Sequence, residues 1–147
     1  MITLRAVHPG EVERLLPWME EFNRAEGIRI DPPRLAAAIH RLLAQESLGA
    51  IRWIDDGASA RGYVVWTWGY DLEWAGRDAF LTEIWVVPEA RGRGVGSAVL
   101  GLVEGESRAG GAGALHLMVH PENEPAMAMY AHAGYASPPR VFLTKVL

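Results

Sequence analysis

The stretch Phe80 to Ser97 reads FLTEIWVVPEARGRGVGS and predicts a strand, a short break, a glycine-rich turn and the start of a helix. Residues 80–87 are almost all apolar, β-branched or aromatic, and Pro88 ends the run because proline cannot donate to a sheet ladder. We therefore expect a buried strand here. The turn that follows has glycine at every second position, 92, 94 and 96, where a helix would begin.

Such a turn favours the binding of an anion. The first amides of a helix lack intrahelical partners, the helix dipole is positive there, and glycine lets a phosphate approach the N–H groups. Arg91 and Arg93 add positive charge. The residues of the turn do not match either of two common nucleotide-binding motifs. A Walker loop needs a Gly-Lys-Ser/Thr ending and the turn has no lysine, whereas a dinucleotide fingerprint needs glycine at 97 or 99, which are Ser97 and Val99.

The remaining pattern, Arg91-x-x-Gly94-x-Gly96 directly after a strand, resembles the pyrophosphate loop of the GNAT family of N-acetyltransferases. In that family a [Q/R]-x-x-G-x-[G/A] turn holds the pyrophosphate of acetyl-CoA. Residues 83–86 are similar to the family's fourth strand, and Asn123 to Tyr130 is similar to its later catalytic helix. The resemblance covers roughly the whole chain and implies that residues 1–147 form one N-acetyltransferase domain.

The resemblance implies an α/β fold with a mixed, mostly antiparallel sheet flanked by helices. The sheet is expected to split between two parallel central strands, at 80–87 and 114–119, and to admit acetyl-CoA there. Around this centre, apolar residues at helical spacing from Val12 to Phe22 predict a helix that Gly27 ends, with a kink or an irregular first turn at Pro17. Asp31-Pro32 begins a second helix that ends near Glu46.

The remaining elements follow from turn signals and periodicity. Strands over 50–54 and 62–68 are joined by a turn-rich spacer, and residues 70–78 are expected to form a loop or a loose hairpin extension. A helix after the glycine turn and a strand over 114–119 make a right-handed crossover, which places the two central strands in parallel. A helix ends at Gly134, and Val141 to Leu147 is expected to be a terminal strand.

Composition bounds the function. The 147 residues, of which 50% are hydrophobic and 22% charged, suit one globular domain. The absence of cysteine excludes a disulfide framework, a thiolate metal site and a cysteine nucleophile. A net charge of −4 argues against a nucleic-acid partner. No apolar run reaches the roughly 20 residues of a membrane span, and the first residues lack an uncharged apolar stretch, so we expect a cytoplasmic protein.

Tyr130 and Asn123 are seven residues apart, two helical turns, and so lie on one face of their helix. The resemblance implies that Tyr130 donates a proton to the departing CoA sulfur and that the Asn123 side chain contacts the cofactor. The alternative is an aromatic core residue and a plain helix N-cap.

Glu83 is an acid inside an otherwise apolar strand, where a carboxylate is rare unless it is paired or functional. It is the candidate general base, acting through water, and burial would raise its pKa towards a useful range. The alternative is a solvated glutamate at an edge, or a partner for an arginine such as Arg77.

The resemblance also implies that the strand bulges at Val86 and Val87, which would offer main-chain amides to the thioester and the pantetheine arm. The cofactor-binding residues expected in all are Val86, Val87, Arg91, Gly92, Arg93, Gly94, Val95, Gly96, Ser97 and Asn123.

Histidine and aromatic residues give weaker signals. His116 and His120 are about 13 Å apart along a strand, too far for one metal ion, and we predict no metal site. His120 has either a minor role beside the thioester or none. Trp68, Tyr70 and Trp74 are the aromatics best placed to wall an acceptor pocket, where cation–π attraction would suit an amine.

The predicted reaction is direct transfer of an acetyl group from acetyl-CoA to a primary amine of a small molecule or peptide. The family habit implies a homodimer. Two other functions stay open: a noncatalytic acyl-CoA binding or sensor domain of the same fold, and a phosphate-loop nucleotide binder, which the missing lysine disfavours. The acceptor is not encoded in any motif.

Overall fold

A computed structural model describes all 147 residues of the chain. Five strands and four helices follow one another along it. They are β1 (Thr3–Ala6), α1 (Val12–Ala25), α2 (Pro32–Ala44), β2 (Gly49–Asp55), β3 (Ala60–Asp71), β4 (Gly76–Val86), α3 (Val95–Ala109), β5 (Leu115–Leu117) and α4 (Glu124–His132). None of the four helices is both long enough and apolar enough to cross a membrane.

The strands form one sheet in the order β1-β2-β3-β4-β5. The first four are antiparallel neighbours, and β4 pairs with β5 in parallel. The parallel pair requires a crossover, which α3 provides. This arrangement confirms the expected α/β class with its mixed, mostly antiparallel sheet.

Helices cover both faces of the sheet because β3 is apolar on both sides. Tyr63 and Val65 point to the face covered by α1 and α2, where they pack with Leu15 and Trp85. Val64 and Trp66 point to the opposite face and pack against α3 and α4. Alternation along a strand therefore divides the core into two layers.

The sheet splits between β4 and β5, and β5 is an edge strand of the sheet rather than the central strand that was expected. β5 pairs with β4 only from Ala79 to Leu81, whereas β4 continues to Val86 alongside β3. The last five residues of β4 therefore have a partner on one side only. This opening lies between the two strands that were expected to flank it, and it ends near the glycine turn that begins α3.

A β-bulge lies at the point where the strands separate. Val65 pairs with Glu83 and Trp66 with Leu81, so Thr82 has no partner residue, and its hydroxyl donates to the Val65 carbonyl at 3.3 Å. An extra residue reverses the alternation of side chains. Leu81 consequently faces α3, while Glu83 faces α1 and α2.

Several boundaries differ from the predicted ones. Of the two alternatives for residues 70–78, the hairpin extension is confirmed: β3 and β4 extend into a long hairpin whose tip is a 3₁₀ turn at Leu72–Trp74, followed by Ala75 with a φ of 53°. The expected strand at 114–119 is only three residues long, and α2 ends at Ala44. α1 continues through Pro17, whose position is exposed.

The predicted terminal strand is wrong for this chain in isolation. Residues 141–147 pair with no strand, and their apolar side chains are exposed. The stretch begins at a bidentate ion pair between Arg140 and Glu73, with N–O distances of 2.7 and 2.9 Å. Local sequence favours a strand, but the main-chain groups find no partner within one copy.

Candidate active site

The glycine turn leaves a row of main-chain donors free. Gly92 and Gly94 have φ angles of 71° and 77°, a region that glycine occupies without steric cost, and Gly94 is the N-cap of α3. The first helical bond runs from the Ala98 amide to the Gly94 carbonyl. None of the six consecutive amides from Gly92 to Ser97 makes a well-formed hydrogen bond within the chain. The turn is thus a concave group of unpaired donors at the positive end of a helix.

The third glycine has a different role. A Cβ atom at Gly96 would lie 2.9 Å from Sδ of Met129, whereas at Gly92 and Gly94 it would meet open space. Gly96 therefore makes room for α4 to pack on α3. The first two glycines shape the turn, and the third sets how closely the two helices approach.

The two arginines of the turn differ in their surroundings. Nε of Arg91 donates to the Val86 carbonyl at 2.8 Å, and its guanidinium lies 5.8 Å from the ring centre of Trp85. Arg91 therefore ties the turn to the end of β4. Arg93 is exposed and makes no ion pair, so its charge is free to meet an anion.

Main-chain donors also face the split. The Val87 amide donates to the Arg61 carbonyl at 2.8 Å, which turns the N–H and C=O of the preceding residue, Val86, away from β3. The Arg91 bond to the Val86 carbonyl lies on that side. Since β5 has already ended at Leu117, the amides of Val86 and, by the same alternation, Ile84 point into the opening.

Two expectations for this strand end are corrected. The bulge lies at Thr82 and not at Val86 and Val87. The Val87 amide is not available to a ligand, because Arg61 accepts it, and the Val87 carbonyl accepts from Ala90 at 2.9 Å. Both main-chain groups of this residue are used by the fold.

Tyr130 and Asn123 lie on α4 beside the split. The Asn123 side-chain oxygen accepts from the Ala126 amide at 3.3 Å, so this residue is the helix N-cap. Tyr130 is 8% exposed and packs edge-on against Tyr135, with 5.8 Å between ring centres. Its hydroxyl makes no hydrogen bond within the chain. Burial, and then the charge of Glu26, raises the pKa of Tyr130, so that it holds its proton.

Glu83 is half-buried and accepts a hydrogen bond of 2.7 Å from the Tyr63 hydroxyl. Burial raises the pKa of Glu83, and the Tyr63 bond opposes that rise. Arg77 is not its partner, because that guanidinium donates to the Gly110 carbonyl at 3.1 Å and lies over Trp68. Tyr63 was missed by sequence reasoning, since it reads as an ordinary aromatic of a buried strand.

A second pair missed from the sequence joins α1 to the loop after β5. Nε2 of His120 lies 2.7 Å from Oε2 of Glu26, the residue that follows the last residue of α1. The other histidine of the strand region, His116, bonds instead to Asp78 at 3.1 Å. No three of the chain's histidine, aspartate and glutamate side chains are grouped as a metal ion would require.

The aromatic residues are not where an acceptor pocket was expected. Trp68 packs against Gly110, at the end of α3, and donates from its indole nitrogen to the Glu46 carbonyl at 3.2 Å. It therefore lies on the α3 side of the sheet. Tyr70 is 77% exposed, and the ring of Trp74 lies 5.8 Å from that of His116 at an interplanar angle of 53°. An open groove lies instead between α1 and α2, and its polar lining comprises Glu20, Asn23, Arg24, Arg29 and Asp31.

Comparison with known proteins decides the family. The model of the acetyltransferase (GNAT) family matches residues 12–135. The chain belongs to the GNAT family. This confirms the resemblance noted on the glycine turn, and it makes the protein an acetyltransferase by family.

Relatives of this GNAT protein extend the comparison. Thialysine N-epsilon-acetyltransferase of Bos taurus is 29% identical over 132 residues, which cover 85% of this chain and 76% of that protein. An integron cassette protein from the mobile metagenome of Cole Harbour Salt Marsh superposes with a TM-score of 0.84 at 30% identity, over 98% of this chain and 90% of that one.

A third structure shares the fold alone. Aminoglycoside N-acetyltransferase AAC(6')-Iy, solved in complex with CoA, has a TM-score of 0.80 at 17% identity, over 99% of this chain and 95% of the other.

Proposed function

We propose that this protein transfers an acetyl group from acetyl-CoA to a primary amine of a small molecule or peptide. The observation that carries the proposal is the row of six unpaired amides at residues 92–97, which opens beside the split between β4 and β5. A diphosphate needs several converging donors and positive potential, and both are present in this turn. The CoA-bound aminoglycoside acetyltransferase of the same fold supports the choice of anion.

In this proposal the coenzyme is held mainly by main chain. Gly92, Gly94 and Ser97 contribute amides to the diphosphate, with those of Arg93, Val95 and Gly96 between them. The Arg93 side chain adds charge. The Val86 amide faces the pantetheine arm and the thioester in the split, and Asn123 contributes its free side-chain N–H₂ group, because its oxygen caps α4.

The reaction follows from the groups beside the split. The amine nitrogen attacks the thioester carbonyl carbon, a C–N bond forms, and the C–S bond breaks to release a thiolate. Tyr130 protonates the sulfur, since its raised pKa keeps the proton available at neutral pH. Glu83, through water, takes a proton that the nitrogen loses. In this proposal the N–H of Ile84 or Val86 donates a hydrogen bond to the oxyanion that develops on the thioester carbonyl.

The acceptor side is proposed to be the groove between α1 and α2. Its lining carries charges of both signs and one buried amide, Asn23, which suits a small polar amine. The bovine relative is a thialysine acetyltransferase, and the structural neighbour acts on an aminoglycoside. Both names describe small polar amines, in line with this lining.

A colorimetric assay for free CoA thiol tests the proposal. The purified protein is incubated with acetyl-CoA and a panel of amino acids, polyamines, aminoglycosides and short peptides. Thiol release that depends on an amine is the expected result. Tight binding of acetyl-CoA without thiol release from any amine would instead support a noncatalytic acyl-CoA sensor.

We also propose a cytoplasmic location, because that is where an acyl-CoA donor would reach the enzyme.

We further propose a homodimer. Residues 141–147 expose Val141, Phe142, Leu143 and Val146, and β5 lies at the edge of the sheet with one side unpaired. Exposed apolar strands and open edges pair readily with another copy. Leu143→Lys should shift the mass seen by light scattering from dimer to monomer. Leu72→Lys is the control, because both leucines are 85% exposed; a monomeric wild type would contradict the proposal.

A further inference from the structure

The Glu26–His120 pair connects distant parts of the chain at the candidate active site. Glu26 lies at the C-terminal end of α1, on the acceptor side, and His120 follows β5 after the point where the sheet has split. The His120 carbonyl accepts the Asn123 amide at 2.9 Å, which ties the histidine to the N-cap of α4. The pair therefore spans the groove side and the helix that carries Tyr130.

Glu26 also lies close to the proposed acid. Its negative charge contributes, after burial, to the raised pKa of Tyr130, and the Tyr130 hydroxyl has no hydrogen-bond partner in the chain. The carboxylate therefore acts on two groups: it lies 2.7 Å from the His120 imidazole, and its charge contributes to the raised pKa of the Tyr130 phenol. A cationic amine that approaches Tyr130 would meet Glu26.

The chemistry requires more than one proton acceptor. An alkylamine arrives as an ammonium ion at neutral pH, since the pKa of a lysine-like amine is about 10.4. Its nitrogen must lose one proton before it can attack and a second when the amide forms. One of these protons balances the one that Tyr130 gives to sulfur, and the other leaves to solvent.

The two candidate proton acceptors beside the split, Glu83 and the His120–Glu26 pair, differ in their access to solvent. Glu83 is closed on one side by Tyr63 and lies within the sheet. The side chain of His120 is 58% exposed and that of Glu26 is 34% exposed. A proton that reaches His120 can therefore pass directly to water.

We propose that His120, oriented by Glu26, removes the proton that the acceptor ammonium must lose before it attacks. The inference rests on the proposed function. The Glu26 carboxylate lies 2.7 Å from Nε2, which favours a proton on that nitrogen and leaves the Nδ1 lone pair to accept the proton from the amine; the same negative charge stabilises the imidazolium that forms. Glu83 then takes the second proton.

The titratable groups around the imidazole are Glu26 from α1, Tyr130 beyond it on α4, and the exposed Glu122 and Glu124 of the following loop and helix start.

His120→Gln tests this role through its dependence on pH. At pH 7 with an alkylamine, kcat/KM should fall by about 10²-fold, the usual contribution of a positioned base. The loss should shrink as the pH rises towards about 10, because the amine then arrives already neutral. Wild type and variant carry the same Tyr130, so any change in its protonation at high pH affects both rates alike. An alkoxyamine or hydrazide acceptor, neutral at pH 7, should show little loss even at pH 7.

Matched variants separate this role from a structural clamp. His132→Gln changes an exposed histidine at the end of α4 and should leave the rate unchanged. Glu26→Gln should reproduce the same pH trend with a smaller loss, and it replaces His120→Gln if that variant fails to fold. Glu21→Gln, an exposed acid on α1, is its control.

Two outcomes overturn the inference alone while the wild type turns over. The first is an unchanged kcat/KM in His120→Gln. The second is a fall in kcat/KM that is equal at every pH and for both classes of acceptor, as expected if the histidine only holds the structure together. A wild type without turnover on any amine overturns the proposed function itself.

Discussion

The donor side and the acceptor side that we propose for this site are built in different ways. The donor side is main chain, concentrated in residues 92–97, and its geometry follows from glycines that permit positive φ at two positions. The proposed acceptor side is made of side chains that the fold brings together: those of the groove between α1 and α2, and the pairs that β3, β4 and the loop after β5 contribute. A main-chain site survives most side-chain changes but fails when one glycine is replaced. A side-chain site fails residue by residue.

The largest effect is expected where the two sides meet, at Tyr130. Tyr130→Phe removes the proton donor and keeps the ring, so kcat should fall by about 10²-fold or more while acetyl-CoA binding is retained. Tyr135→Phe is the control, because its hydroxyl bonds to Glu104 at 3.1 Å and it packs against the same ring. Steady-state kinetics with the best amine of the panel provides the measurement, and equal rates for both variants would remove Tyr130 from the chemistry.

The pH–rate profile of Glu83→Gln tests whether Glu83 is the base on the acceptor side. With a neutral alkoxyamine acceptor, which does not need His120, activity should fall by about 10²-fold at neutral pH, and the acidic limb of the pH–rate profile, which lies above the usual glutamate pKa of about 4.3, should disappear. An unaltered limb would assign that titration to another group.

Glu83→Gln should also change how the free energy of unfolding depends on pH. Burial raises the pKa of Glu83 in the folded state, so the folded protein binds this proton more tightly than the unfolded chain. The free energy of unfolding should therefore fall as the pH rises from the unfolded pKa through the folded one. Glu83→Gln should remove that decline. Thermal unfolding at pH 4.5 and pH 7.5 compares the two proteins, and a wild type that gains stability relative to the variant over this interval would contradict the sign.

The smallest effect is expected at Tyr63. Its hydrogen bond lowers the pKa of Glu83 against the effect of burial, so Tyr63→Phe should move the acidic limb of the rate profile to higher pH. The rate on the plateau should change by less than about tenfold, because the base itself remains. A limb that stays in place would show that Glu83 does not control it.

What could be predicted from the sequence follows the same division between the two sides. The glycine turn, the strand before it and the helix after it are adjacent in the chain, so local rules of turn and capping chemistry predict them. The Glu26–His120 pair joins opposite halves of the chain. No spacing rule links two residues that meet only because α1 lies over the split sheet.

In β4, the alternation of side chains predicts the wrong face of the sheet for Glu83. Alternation would place Glu83 on the same face as Leu81, against α3. The bulge at Thr82 reverses the order and turns Glu83 to the acceptor side, next to Tyr63. A single extra residue in a strand leaves no mark in composition, since threonine is common in regular strands. The segment 141–147 fails for a different reason: its strand propensity requires a partner that one copy does not offer.

The most direct test of the central claim is calorimetric titration of acetyl-CoA into the wild type, Gly94→Ala and Gly111→Ala. The two glycines are at opposite ends of α3, have φ angles of 77° and 88°, and would each direct a Cβ into open space, so both substitutions carry a similar backbone cost. If the bare amides of residues 92–97 hold the diphosphate, Gly94→Ala should weaken binding by about tenfold or more, or about 1.4 kcal/mol, while Gly111→Ala binds like the wild type. Equal affinities for the two variants would contradict the claim.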